Sequence, residues 1–401
     1  MSKNVKVISL FLLLTYFYGF IAFKNVPLGN TIHLAILALG TILGFNKKKE
    51  FKGYFVAIIF ALVFNAISSF YYRGQGLFTS FKAAFYILDI FFFYFLAYIN
   101  ISVSKLEKAM LYLTLGAAFC YFFQQIMFPR IYFIASSYDW IINSKTAWRF
   151  IQVHGQSLLS LGVFYGLNKF LTTKQYKYLI LIIICFIAVL MRGFRIMLFS
   201  MVVSSMYLIY AHNKKLFTVK NLATFFGILI FLAASYFIPP VQEALNHMLE
   251  RQSGGETLDN EDYARTIQLV YFFNDHFKSN IEYFFGSGLI GDSPYGKYVM
   301  DLRNEGINLA DWGLLGLSWI GGIPLVLCII GYMIKAIRMK VPKPYKYIGA
   351  WFIFLLIISI THPEAYQQSS MLIQALLLYM LTRIKYEKRR FLFKQYRHRI
   401  H

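Results

Sequence analysis

Long apolar runs recur along this chain. Short basic segments separate them, and one long polar insert interrupts them. Twelve runs read as helices that cross a hydrocarbon core of ~30 Å. They are Val7–Phe23, Leu28–Phe45, Tyr54–Phe70, Phe81–Tyr98, Ala109–Phe128, Phe150–Phe170, Tyr178–Met191, Ile196–Ala211, Leu222–Phe237, Trp312–Ile334, Ile348–Thr361 and Ser370–Ile384. The runs are continuous and lack the alternation of barrel strands. Backbone groups in lipid must be bonded internally, and a helix does this within one segment. The pattern therefore predicts an all-α polytopic membrane protein of about 12 transmembrane helices with a large helical extracytoplasmic loop. The expected organisation is nine spans in 1–238, the polar insert in 239–310, three spans in 311–384 and a basic tail in 385–401.

Charge orients this pattern. With the N-terminus inside and alternating spans, 27 of the 40 Lys and Arg residues fall on the cytoplasmic side. Every inner connection is then basic, as the positive-inside rule requires. The expectation is a multi-pass protein of the bacterial cytoplasmic (inner) membrane with both termini cytoplasmic and an uncleaved first span. The net charge of +22 is thus a topology signal. Its basic residues are scattered over inner loops, which argues against nucleic acid as a partner. Membrane lipid is the expected environment, with the tail suited to anionic headgroups. Cys120, Cys185 and Cys328 all fall inside predicted spans, so no disulfide is expected in the insert. No Cys/His spacing suits a metal, and no cofactor is predicted.

The insert changes the picture most. It holds 11 of the 18 carboxylates of a chain that is only 14% charged. Pro239-Pro240 can open a helix, with Val241, Ala244, Leu245, Met248 and Leu249 on one face. A second helix is expected from Asp259 or Asn260 to about His276, with acids in its first turn, where the helix dipole favours them. In it Ile267, Val270, Tyr271 and Asn274 line one face, and Arg265 lies toward the other. Gly286-Ser-Gly-Leu-Ile-Gly291 matches the spacing of a dinucleotide fingerprint. That fingerprint needs a preceding strand and a parallel sheet; here the glycines are expected to serve a tight turn or a close backbone approach.

Other candidate residues lie at span ends. Arg192 and Arg195 flank a very short outer turn, against the positive-inside bias. They read either as snorkelling to headgroups or as an anion site, since guanidinium offers a planar fork of donors. Arg149 precedes a polar patch of Gln152, His154, Gln156 and Ser157, which is better suited to a wet cavity than to lipid. Asp89 lies within a span, where it serves either a functional site or a structural hydrogen bond. Asp311 opens the tenth span, as a cap or as a reactive acid. His362 and Glu364 belong to the last outer turn.

Taken together, these features resemble the bacterial O-antigen polymerase and O-antigen ligase family of polytopic membrane glycosyltransferases. The architecture is similar over most of the chain. Gly193-Phe-Arg-Ile-Met-Leu198 resembles the family's arginine at a span opening. Arg265 ahead of Phe285-Gly-Ser-Gly288 resembles its second arginine before a glycine turn. Asp311-Trp-Gly-Leu-Leu-Gly-Leu-Ser-Trp-Ile-Gly-Gly322 resembles the helix that follows, and Trp148-Arg-Phe-Ile-Gln-Val-His-Gly155 an earlier outer stretch. Ligases usually carry His-Asn where this chain has Ala310-Asp311, which favours the polymerase.

The resemblance implies a metal-independent glycosyl transfer at the outer face of the membrane. Undecaprenyl-diphosphate-linked oligosaccharide repeats would be joined into O-antigen or capsule, with a chain-length regulator as a possible partner. Arg195, Arg265, Arg149, Arg192 and His154 are the candidate diphosphate and substrate ligands. Asp311, Glu261, Asp262, His362 and Glu364 are the candidate bases. Tyr263, Tyr271, Tyr283 and Trp312 are aromatic residues that either stack on sugar or pack. The alternatives are a ligase that moves the glycan to a lipid A-core acceptor, a flippase for the same lipid-linked saccharide, and a membrane acyltransferase. A flippase would call for two similar halves, and no internal repeat is evident.

Overall fold

The computed structural model describes residues 37–46, 50–127, 156–190, 195–213 and 264–400, with isolated positions at 227, 242 and 246. Apart from those isolated positions, the expected spans Val7–Phe23 and Leu222–Phe237, the first part of Leu28–Phe45 and the helix expected after Pro240 lie outside the described residues.

Among the described residues the fold is all-α. Three helices are long and apolar enough to cross a membrane: α1 (Lys52–Arg73), α5 (Val103–Met127) and α8 (Arg195–Asn213). Helix α2 (Leu77–Ala83) bends by 53° against the segment Phe85–Ile99, which makes a fourth span if the pair is counted as one. That segment consists of α3 (Phe85–Leu88), a 3-10 turn at Asp89–Phe91 and α4 (Phe92–Ile99). The fully buried Asp89 thus sits at a helix break rather than in a continuous span. The exposed faces of α1 and α5 are apolar: Ile59, Phe60, Phe64 and Ile67 on one, Tyr112, Leu115, Phe119 and Ile126 on the other. Water does not favour such surfaces, and the protein is membrane-associated.

The remaining helices are α6 (Gln156–Thr173), α7 (Lys177–Leu190), α9 (Ala264–Asn274), α10 (Asn280–Phe285), α11 (Pro294–Asn304), α12 (Gly313–Gly321), α13 (Ile323–Arg338), α14 (Lys346–Ile358) and α15 (Gln368–Ile400). Of these, α9 to α11 lie in the polar insert and the others follow the apolar runs with shifted ends. The expected span Trp312–Ile334 is two helices, α12 and α13, broken at Gly322. Only glycine fits at this break. Gly322 has φ +88°, and a Cβ there would lie 2.5 Å from the Phe285 carbonyl oxygen. Helix α14, at 13 residues, spans only about 20 Å at 1.5 Å per residue.

Hydrogen bonds define two ends of the bundle. At one end, Lys385 and Lys335 both bond Glu50, just before α1. Glu107 near the start of α5 takes Lys169 from the end of α6 and the hydroxyl of Tyr347 from the start of α14. Asn168 bridges His212, at the end of α8, to the Pro344 carbonyl. This is the lysine-rich end. At the other end, α1 finishes at Arg73, which meets Glu282 of α10. The segment from 264 to 312 gathers there.

Candidate functional site

The glycine segment is held between two helix ends. The Asn65 side-chain amide donates to the Phe285 carbonyl at 2.8 Å and the Ile320 carbonyl at 2.7 Å. Ser68 donates to the Gly286 carbonyl, and the backbone N–H groups of Ser287 and Gly288 donate to the Trp319 and Ile320 carbonyls. Gln75 donates to the Leu289 carbonyl and accepts from Ser293. Gly286 and Gly288 have φ of +85° and +115°, and a Cβ on Gly288 would lie 2.0 Å from Ser69 Oγ. The spacing that mimics a dinucleotide fingerprint therefore serves close backbone approach, with no strand among the described residues.

Charge fixes the same segment. Arg73 Nε donates to Glu282 Oε1 at 2.5 Å, the carboxylate being fully buried. Arg73 also donates to the His276 carbonyl, and Glu282 Oε2 accepts from the Lys278 backbone N–H at 2.7 Å. His276 bonds Ser287 Oγ at 3.0 Å, and Ser287 bonds the Tyr295 hydroxyl at 2.6 Å. Burial, and secondarily Arg73, push the His276 imidazole down to about 3, so it is neutral at physiological pH. Burial likewise raises the Tyr295 phenol to about 12.

Helix α9 carries the contact to Asp311. Its buried face is Gln268 and Phe272, with Phe272 stacked on Trp319 at 4.2 Å. Ile267 and Val270 are exposed, so the apolar stripe read from the sequence is the outer face of this helix. Gln268 Nε2 donates to the Gly306 carbonyl at 2.7 Å and, more weakly, to Asp311 Oδ2 at 3.5 Å. Gln268 Oε1 accepts from the Trp312 indole at 3.0 Å. Asn308 Nδ2 donates to Asp311 Oδ1 at 3.2 Å. Among the described residues no cation forms an ion pair with Asp311. Arg265 is half-buried one helical turn before Gln268, on the same side of α9.

The turn after α14 meets Asp311 from the other side. The Leu314 N–H donates to the Ser359 carbonyl at 2.8 Å, and a Cβ on Gly313 would lie 3.0 Å from the His362 nitrogen. His362 Nδ1 lies 3.7 Å from Glu364 Oε2, both residues being buried. Ser157, in the first turn of α6, donates to Glu364 Oε1. From α15, Gln374 donates to the Ala365 carbonyl at 2.7 Å and accepts from the Tyr332 hydroxyl. The Tyr366 phenol is pushed up by burial first, then by Tyr86 and Asp311 beside it.

Arg195 belongs to this same end. Helices α8 and α14 run antiparallel: the end of α8 is tied through His212 and Asn168 to Pro344, just before α14 begins. A Cβ on Gly349 would lie 3.5 Å from the Tyr207 hydroxyl. Arg195 opens α8 twelve residues before Tyr207, at the end where α14 leads into Ser359 and His362.

The structure thus gathers Asp311, His362, Glu364 and Ser157 at one end, toward which the described parts of the helices that carry Arg195 and Arg265 lead. Tyr283 is exposed on α10, apart from Asp311, and Tyr271 pairs with the Tyr298 hydroxyl. Arg149, Arg192, His154, Glu261, Asp262 and Tyr263 lie outside the described residues. Sequence reading missed Gln268, Asn308, Arg73 and Glu282. It also passed over Asn65, Ser68 and Ser69, although polar residues at i, i+3 and i+4 on an apolar helix are a legible sign of a buried contact. Among the described residues no group of three or more His, Cys, Asp or Glu side chains is arranged to hold a metal ion. No protein-family model matches the chain, and no curated protein matches it.

Proposed function

We propose that this protein is a membrane glycosyltransferase that joins lipid-linked oligosaccharide repeats into a surface polysaccharide. The observation that supports this reading is the convergence of Asp311, His362 and Glu364 at the bundle end toward which the helices carrying Arg195 and Arg265 lead. The lysines at the opposite end fit a cytoplasmic face. In this reading the chain has twelve spans and cytoplasmic termini, and its site faces outward from the bacterial inner membrane.

The chemistry follows from the residue types. The acceptor hydroxyl oxygen attacks the anomeric carbon of the donor sugar. The bond from that carbon to the diphosphate oxygen breaks, and undecaprenyl diphosphate leaves with the bonding electrons. Arg195 and Arg265 stabilise its growing charge through bidentate, charge-assisted hydrogen bonds. The hydroxyl proton passes to a carboxylate or imidazole of the cluster. Asp311 is the first choice, because two neutral amides hold it and no cation among the described residues pairs with it. His362 is the second, with Glu364 beside it.

A ligase shares this chemistry and differs in its acceptor. A flippase needs no transfer site. The test is the length distribution of surface glycan in cells carrying Arg195→Ala or Arg265→Ala at matched protein level. Collapse to single repeat units in both is expected. Long glycan that remains unattached identifies the ligase, and unchanged long attached glycan in both overturns the site.

A further inference from the structure

Trp312 is placed differently from the other tryptophans of the described residues. Trp319 and Trp351 are fully buried. Trp312 is only partly buried, as are its neighbours Asp311 and Asn308. It contacts Trp319 edge to face at 6.3 Å and 61°, which leaves part of its ring outward. Its indole N–H is taken by Gln268 Oε1 at 3.0 Å, so the ring does not swing freely. The same Gln268 amide donates to Asp311 Oδ2 and to the Gly306 carbonyl. Asn308 holds the other carboxylate oxygen at 3.2 Å, and its own Oδ1 accepts from the Ala310 N–H.

Gln268 therefore holds the indole firmly, and its longer contact at 3.5 Å, with Asn308 on the other oxygen, places the carboxylate beside the ring. The carboxylate accepts hydrogen bonds only and keeps lone pairs beyond the two amides. No cation among the described residues neutralises it. A fixed apolar ring beside an acceptor set suits a ligand with one apolar face and a rim of donor hydroxyls. A pyranose has that form: its C–H groups make the face, and its hydroxyls lie around the edge.

We propose that Trp312, Asp311 and Asn308, locked by Gln268, form a sugar subsite for the acceptor end of the repeat unit. Trp312 stacks on the sugar ring, and Asp311 accepts from the hydroxyl at its edge. Gln268 is a positioning residue that touches no sugar. This inference rests on the glycosyl-transfer reading above and adds to it a ring-binding group and the residue that orients it.

The test uses the full chain in lipid nanodiscs and undecaprenyl-diphosphate oligosaccharide extracted from cells that lack the protein. N-bromosuccinimide oxidises accessible indoles, and peptide mass spectrometry reads Trp312 against the buried Trp351. The oligosaccharide is expected to protect Trp312 several-fold. Equal oxidation with and without it overturns the subsite, and this measurement needs no substitution. Kinetics then separate the roles. Trp312→Leu is expected to raise KM for the acceptor more than it lowers kcat, with Trp312→Phe between the two. Gln268→Leu is expected to raise KM for the acceptor more than it lowers kcat, a split that a merely structural loss would not produce. If Asp311→Asn and Arg265→Ala shorten the glycan and Trp312→Leu does not, the subsite fails alone. If none of them shortens it, the glycosyl-transfer reading fails.

Discussion

Two glycines show how single residues set this structure. Gly288 and Gly306 both have positive φ, at +115° and +92°. A Cβ on Gly306 would meet open space, whereas one on Gly288 would lie 2.0 Å from Ser69 Oγ. Gly306→Ala therefore carries only the backbone strain of a positive φ, about 1 kcal/mol. Gly288→Ala adds an overlap with α1 and is expected to cost roughly 2–4 kcal/mol. Thermal unfolding of the full chain in detergent checks this: Gly288→Ala should lower the transition clearly more than Gly306→Ala. Equal shifts would mean that α1 yields and does not clamp the segment. At this scale the sequence was partly legible. Gly286, Gly288 and Gly291 signalled a backbone feature, and the absence of a neighbouring strand argued against a nucleotide loop. The partner surface was not legible, because Asn65, Ser68 and Ser69 lie more than 200 residues away in the chain.

Elements make the next level. Helix α10 is short, at six residues, and cannot stand alone. Its N-cap Ser279 accepts from the Glu282 N–H at 3.1 Å, and Glu282 receives Arg73 from the end of α1. Removing one member of a buried ion pair leaves the other uncompensated and costs about 3–5 kcal/mol. Arg73→Met and Glu282→Gln should each destabilise the chain by that order. The double variant should cost less than the two single losses together. A double-mutant cycle on unfolding in detergent measures the difference, and strict additivity would show that the pair is not coupled. Element existence was readable from apolar runs: α1, α7 and α8 follow them within three residues, and α5 begins six residues before its expected run. The breaks were not readable. Gly322, at φ +88° and close against the Phe285 backbone, separates α12 from α13, and Asp89 sits in a 3-10 turn between two short helices. Hydropathy averages over such breaks, since apolar residues continue on both sides. Of the face expected from Ile267, Val270, Tyr271 and Asn274, Ile267 and Val270 are exposed and Tyr271 is half-buried; periodicity does not say whether a face meets protein or its surroundings.

The whole molecule is two-ended. Among the described residues, lysines with Glu50 and Glu107 occupy one end; Asp311, His362 and Glu364 occupy the other, toward which the helices carrying Arg195 and Arg265 lead. Charge counting along the sequence anticipated the first end, because the positive-inside pattern is one-dimensional. The second end depends on contacts between distant segments. The pairing of Gln268 with Asp311 joins the insert to α12, and that of Ser157 with Glu364 joins α6 to the last turn. Neither leaves a local trace in the sequence. The central claim is that this second end transfers glycans from undecaprenyl diphosphate. Reconstitution tests it most directly. The purified full chain in liposomes is given undecaprenyl-diphosphate oligosaccharide, and glycan length and released undecaprenyl diphosphate are measured together. The account predicts a ladder of longer lipid-linked glycans with one undecaprenyl diphosphate released per bond formed, and neither product with Asp311→Asn. Single repeats that cross the bilayer without elongation or release would contradict it.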